Sequence, residues 1–211
     1  MTVFSMPFCR NAFDLARRRF AALVMAFLLG LAGQCGLASA GTIEASSARL
    51  TASEDAFVLS AEFNIDLGSR LEEIITRGVP LYFLLELEIT RNRWFWPGEH
   101  IAGHTLTYRL AYIPLTRQYR LSSGGGLHQD FATLSDALRV MGRTAALPVA
   151  ERSALKPGEN YQAALRLSLD RQQLPKPLQL DAIVNGDWTI EAKVLRWQFV
   201  PTAMPPERQA K

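Results

Sequence analysis

Residues 79–121 read VPLYFLLELEITRNRWFWPGEHIAGHTLTYRLAYIPLTRQYRL, and the spacing of their apolar side chains decides the fold. Leu81, Phe83, Leu85, Leu87 and Ile89 recur at every second position, while Glu86 and Glu88 fall on the other face. A period of two is the mark of a half-buried strand. A second alternating run places His104, Leu106, Tyr108, Leu110 and Tyr112 on one face, with Thr105, Thr107 and Arg109 on the other. A third, Gln118 to Ser122, follows after only Pro114 to Arg117. So short a connection makes a hairpin and fixes its register: Tyr112 opposite Tyr119, Leu110 opposite Leu121, Ala111 opposite Arg120 and Arg109 opposite Ser122.

Glu86 and Glu88 raise the question of acid–base chemistry, since paired carboxylates serve glycoside hydrolysis. Residues two apart on a strand share a face at about 6.6 Å, and Thr105, Thr107 and Arg109 on the next strand are available as partners. A solvated charge ladder therefore accounts for both. The connection from Asn92 to Glu99 is different: Arg91, Arg93, Trp94, Phe95, Trp96, Pro97 and Gly98 set three aromatics and two arginines at a hairpin tip. Aromatics beside arginine are the side chains enriched at binding hot spots; the structural alternative is a lid over the end of the sheet.

Outward from this stretch, the amino terminus carries Arg17, Arg18 and Arg19, an apolar run from Phe20 to Leu31, and small residues ending Ala38-Ser39-Ala40. That is the pattern of a secretory signal peptide, residues 1–40, with cleavage expected after Ala40; an uncleaved inner-membrane anchor is the alternative. Export would leave residues 41–211, enough for one domain with a core. It would remove four arginines and one aspartate, so that 23 basic and 20 acidic residues become 19 of each. The basic character of the whole chain thus belongs to the leader, and a nucleic-acid partner loses its electrostatic basis. Cys9 and Cys35, the two cysteines, also lie in the leader. A periplasmic domain of this kind would be held by its core, without disulfides.

Phe57 to Ile65 alternates as a further strand, whereas 42–52 is only loosely strand-like. Ser69 with Glu72, and Thr133 with Asp136, match capping boxes, and Gly78 suits the left-handed end of the first helix. The second helix has Leu134, Ala137, Leu138 and Met141 in one stripe. Ser122 to His128, with Gly124, Gly125 and Gly126, reads as a flexible turn from strand to helix, and 147–158, with two prolines, as a loop. Tyr161 to Leu169 is another strand; Leu174 to Leu178 a stiff crossing; Ile183 and Val184 the start of an edge strand before a turn at Asn185-Gly186. The last strand is expected from Trp188, with a bulge near Leu195 where the alternation changes parity. Residues 201–211 are expected to be a disordered tail. His100 and His104, about 13 Å apart on a strand, cannot share an ion, and neither a metal site nor a cofactor motif is expected.

Arg77-Gly78-Val79-Pro80-Leu81-Tyr82-Phe83, Arg93-Trp94-Phe95-Trp96, Leu106-Thr107-Tyr108-Arg109-Leu110, the segment Leu115 to Leu121, Leu155-Lys156-Pro157-Gly158-Glu159 and Leu174-Pro175-Lys176-Pro177 together resemble a proteobacterial family of exported domains of unknown function, described as proline-rich signal-peptide proteins. The resemblance runs from about Leu59 to Pro201. It implies no catalytic residues. It does imply, by genetic association, a nitrogen-regulation-type membrane sensor kinase as a partner.

These readings combine into one mainly β domain over 41–200, a two-sheet β-sandwich of immunoglobulin-like type with two short helices. The expected role is a non-enzymatic periplasmic protein-interaction module of the cell envelope, accessory to a sensor kinase, with peripheral membrane contact compatible. A periplasmic carrier of a small ligand, lipid or glycan is the alternative. The candidate contact residues are Arg91, Arg93, Trp94, Trp96, Arg109 and Arg120.

Overall fold

The computed structural model describes residues 41–93, 96–124, 126–184 and 190–201, with backbone alone at 92–93, 96–97 and 181–184. The leader expected over 1–40, the side chains of Arg93, Trp94 and Trp96, the turn at Asn185-Gly186, Trp188 and the tail beyond 201 lie outside these described residues or side chains. Among the described residues no helix is long and apolar enough to cross a membrane.

In chain order the elements are β1 (Thr42–Ala52), β2 (Ala56–Asp66), α1 (Gly68–Thr76), β3 (Leu81–Arg93), β4 (Trp96–Ile113), β5 (Gln118–Ser123), β6 (Leu127–Phe131), α2 (Leu134–Met141), β7 (Arg143–Glu151), β8 (Tyr161–Leu169), α3 (Lys176–Val184) and β9 (Leu195–Phe199). The strands form two antiparallel sheets, one of three in the order β1-β2-β7 and one of six in the order β6-β5-β4-β3-β8-β9. One continuous apolar cluster draws on both, so the fold is mainly β and sandwich-like. Immunoglobulin constant domains divide their strands four and three through Greek-key connections. Here the division is three and six, and β3 to β6 run as a meander.

The central alternation is realised residue by residue. Leu81, Phe83, Leu85, Leu87 and Ile89 of β3 are each at most 4 % exposed, and β3 lies between β4 and β8. The β4–β5 register is the one the turn dictates, with Tyr112 opposite Tyr119, Leu110 opposite Leu121, Ala111 opposite Arg120 and Arg109 opposite Ser122. The two tyrosine rings meet at 5.0 Å between centroids, a tilted aromatic contact. Between the sheets, Tyr108 of β4 and Thr144 of β7 share a buried hydrogen bond of 3.2 Å. Thr144 is the one buried polar residue among those described, and this bond satisfies its hydroxyl. Burial pushes the Tyr108 phenol above its ordinary pKa.

Several expectations are corrected. The segment 42–52 is a full strand, and its loose alternation comes from a register shift between Ala45 and Ser47. The extra residue switches parity, so Ile43 and Ala45, then Ala48 and Leu50, all pack toward the core. The glycine turn after β5 leads to a hairpin, with β6 paired to β5 from Ser123↔Leu127 to Tyr119↔Phe131. Residues 143–151 form β7, paired to β2 across two register shifts and containing Pro148; a proline is tolerated there because β7 is an edge. Ile183 and Val184 end helix α3 rather than starting a strand. The last strand is only Leu195–Phe199, and the preceding segment touches β8 through an isolated Ser168↔Glu191 bridge.

The helix ends follow the same physics. α1 is not capped by Ser69, for the Gly68 N–H donates instead to Asp66 Oδ1 at 2.9 Å. Gly78 does close α1 in the left-handed region, at φ +91°, with its N–H on the Ile75 carbonyl at 2.9 Å. α2 has the expected cap: Thr133 Oγ1 accepts from the Asp136 N–H at 3.2 Å and donates to Asp136 Oδ2 at 2.7 Å. Ala137, Leu138 and Met141 are buried.

Candidate functional site

Strand parity divides the candidate residues between two faces. In β3 the odd-numbered side chains from Leu81 to Ile89 enter the core, and Arg91 continues that series opposite Tyr161 of β8. Arg109 and Arg120 stand on the other face of the six-stranded sheet, with Tyr82, Glu86, Glu88 and Arg166. Arg109 pairs with Tyr82, nine positions from Arg91 along β3, a span of about 30 Å. The structure therefore does not gather Arg91, Arg109 and Arg120 into one patch.

Arg91 is a clamp at the end of the sheet. Its Nη1 donates to Glu159 Oε2 at 3.0 Å and its Nη2 to Glu99 Oε2 at 2.5 Å. Tyr161 Oη also donates to Glu159 Oε2 at 3.0 Å, and accepts from the Lys156 N–H at 3.0 Å. Four hydrogen bonds thereby tie the 156–159 loop to β3, β4 and β8. Glu99 is the register partner of Arg91 on β4 only because the register shifts between Ile89 and Thr90; the unbroken register would set His100 there. Glu159, 68 residues away, could be brought in only by the tertiary fold. Arg91 Nε is buried without a partner among the described residues.

The electrostatics follow from these contacts. Glu99 and then Glu159 hold the Arg91 guanidinium protonated well beyond its already high range. The hydrogen bond from Arg91, and after it the one from Tyr161, holds the Glu159 carboxyl below its usual pKa. A carboxyl depressed in the folded state stabilises the fold above its unfolded pKa, near 4.3, and loses that contribution as pH falls through the folded value. In Arg91→Met the contribution is missing at neutral pH. Urea denaturation across pH should show wild type and variant well separated at pH 7 and converging below about pH 4. A gap that stays constant across that range would remove Glu159 from the account.

On the outer face, Glu86 is held by Arg166 of β8, with Nη2 at 2.8 Å and Nε at 3.1 Å from Oε2. The expected partners were Thr105, Thr107 and Arg109 on β4; β8 supplies the cation because it is the other neighbour of β3. Glu88 faces Gly103 and Ala164. The two carboxylates are thus in different surroundings: Glu86 is ion-paired, whereas the residues opposite Glu88 on both neighbouring strands carry no charge. Arg120 grips Asp130 of β6 through two bonds, at 2.7 and 2.8 Å, which holds the Asp130 carboxyl below its usual pKa. The sequence conceals this pair because Leu127 to Asp130 are all exposed and no alternation marks β6 as a strand.

Among the candidates whose side chains are described, Arg109 is the available cation. It is exposed, and among the described residues its hydrogen bond is one of 3.2 Å from Nε to Tyr82 Oη. Its two terminal nitrogens, the part of a guanidinium that grips a carboxylate in a fork, are unused there. Ser122 of β5 and His128 of β6 continue the same row across the sheet. Elsewhere, a surface groove of about 500 Å³ beside α2 is lined by Glu62, Asp66, Glu72, Arg139 and Arg143 together with Phe63. No group of three or more His, Cys, Asp or Glu among the described residues is placed to hold a metal ion.

The model of a family described as a domain of unknown function, DUF4390, matches residues 40–198. No curated protein and no solved structure matches the chain.

Proposed function

The chain belongs to the DUF4390 family, a domain of unknown function, and from the surface it presents we propose that it is a non-enzymatic protein-interaction module of the cell envelope. The observation that carries this reading is the outer face of the six-stranded sheet. Along β3 and β8 that face is half-buried or exposed, and its row Tyr82, Arg109, Ser122 and His128 offers donors to an incoming carboxylate. Tyrosine beside arginine is a favoured anchor pair in protein interfaces. The partner we put forward is a membrane sensor kinase of the nitrogen-regulation type, on the strength of the family resemblance. The leader pattern of residues 1–40 supports a periplasmic placement.

The carrier alternative needs a chamber between the sheets. Leu59, Phe83, Leu85, Leu110 and Tyr161 fill that region, each at most 2 % exposed, so no observation favours it. The test is a photo-reactive amino acid at position 122, which faces Arg109 across the β4–β5 ladder, in living cells, with position 54 in the β1–β2 turn as control. One dominant membrane-protein adduct from 122 alone, abolished by an Arg109→Ala change, is the expected result. Equal adducts from both positions, or none from a folded and abundant protein, would overturn the proposal. A crosslinked kinase would support the named partner, and a different envelope protein would replace it.

A further inference from the structure

The four edge strands are not equally closed to further pairing. β6 and β9 are five residues each. β7 carries Pro148, two register shifts and Ala146 at φ +50°, devices that keep an edge from pairing. β1 runs for 11 residues with a single shift, has no proline, and among the described residues pairs only with β2.

Its sequence is also symmetric about its own midpoint. Against a second β1 running the opposite way, a two-fold axis between Ser46 and Ser47 sets Thr42 opposite Thr51, Ile43 opposite Leu50, Glu44 opposite Arg49 and Ala45 opposite Ala48. Because of the parity switch at Ser46, each pair lies on one face. Ile43, Leu50, Ala45 and Ala48 are on the core side, and Thr42, Thr51, Glu44 and Arg49 are exposed. Two opposite-charge pairs result, related by the axis. Shifting the register by one residue mixes the faces, and shifting it by two loses both charge pairs. Within one chain Glu44 lies opposite Asn64 and Arg49 opposite Ser60, so neither side chain has an opposite charge facing it across the β1–β2 ladder.

We propose that two copies of the chain join through the free edge of β1, antiparallel about an axis between Ser46 and Ser47, so that two three-stranded sheets become one of six. This is the isologous arrangement that most homodimers use, made by strand addition. An edge contact alone sits at the small end of specific interfaces, below about 1,200 Å², so the dimer should dissociate in the micromolar range.

The test is the dissociation constant of the purified full chain by light scattering or sedimentation. Glu44→Arg and Arg49→Glu each set like charges opposite one another twice per dimer and should weaken it about tenfold or more, given the size of such cross-strand terms. The double exchange E44R/R49E should restore it to within about threefold of wild type. In a C9S/C35S background, oxidised E44C/R49C should give a covalent dimer and E44C/T51C should not. Wild type that stays monomeric through the micromolar range, or a double exchange as weak as the single changes, would overturn the proposal.

Discussion

Phe83→Ala is expected to destabilise the domain by about 3–5 kcal/mol, the range for emptying a fully buried aromatic site. Phe83 is 0 % exposed and sits in the middle layer of the larger sheet, opposite Tyr108 on β4 and Leu169 on β8. Neighbours held by two ladders cannot relax far into the space left behind, which keeps the cost toward the upper end. Against a typical total of about 5–15 kcal/mol, such a loss leaves the variant marginal. Urea denaturation measures it, with Leu84→Ala as the comparison, since Leu84 stands next in sequence on the half-buried outer face. A Phe83→Ala loss no larger than that of Leu84→Ala would mean that β3 does not carry the core.

Gly142→Ala should cost about 1–3 kcal/mol, the usual penalty for overpacking, although it adds one methyl group. A Cβ at this position would lie 2.4 Å from the Phe63 carbonyl oxygen. Backbone cannot swing aside as a side chain can. Gly142 has an ordinary φ of −70°, so the glycine is needed for space and not for a left-handed turn. The space matters because the Gly142 carbonyl accepts from the Phe63 N–H at 2.8 Å, which docks the end of α2 on β2. A melting point lower by about 2–4 °C for each kcal/mol is the scale for a domain of this size. Unchanged melting would show that β2 and α2 can separate without loss.

The legible parts of the fold are those where one face is apolar and the turn is short. Leu81 to Ile89, His104 to Tyr112 and Gln118 to Ser122 satisfy both conditions, and the β4–β5 register followed down to individual pairs. β6 gave no such signal because Leu127 to Asp130 are all exposed, so nothing in their order marks an inside. β7 was hidden by its own edge protection, since Pro148 and two shifts break the alternation that would reveal a strand. At the candidate site the same limit applies. Arg91 and Glu99 are partners through a hairpin, whereas Glu159 and Arg166 arrive on or beside β8, 68 and 80 residues from the side chains they meet. Charge pairs across a strand addition of that kind leave no local trace.

The central place of β3 also sets an order of events for the chain. Its pairing with β4 joins residues close in sequence, but its pairing with β8 must wait for a segment some 80 positions downstream, such as Arg166 against Glu86. Loop closure on that scale is what makes non-local β topologies slow to fold. As the chain emerges, β3 to β6 can zip as a meander while one side of β3 still presents unpaired N–H and C=O groups beside Leu81, Phe83 and Leu85. Until β8 arrives, the most apolar strand of the protein is an open edge. The interval between those two pairings is when the chain is most exposed to aggregation and most in need of a chaperone.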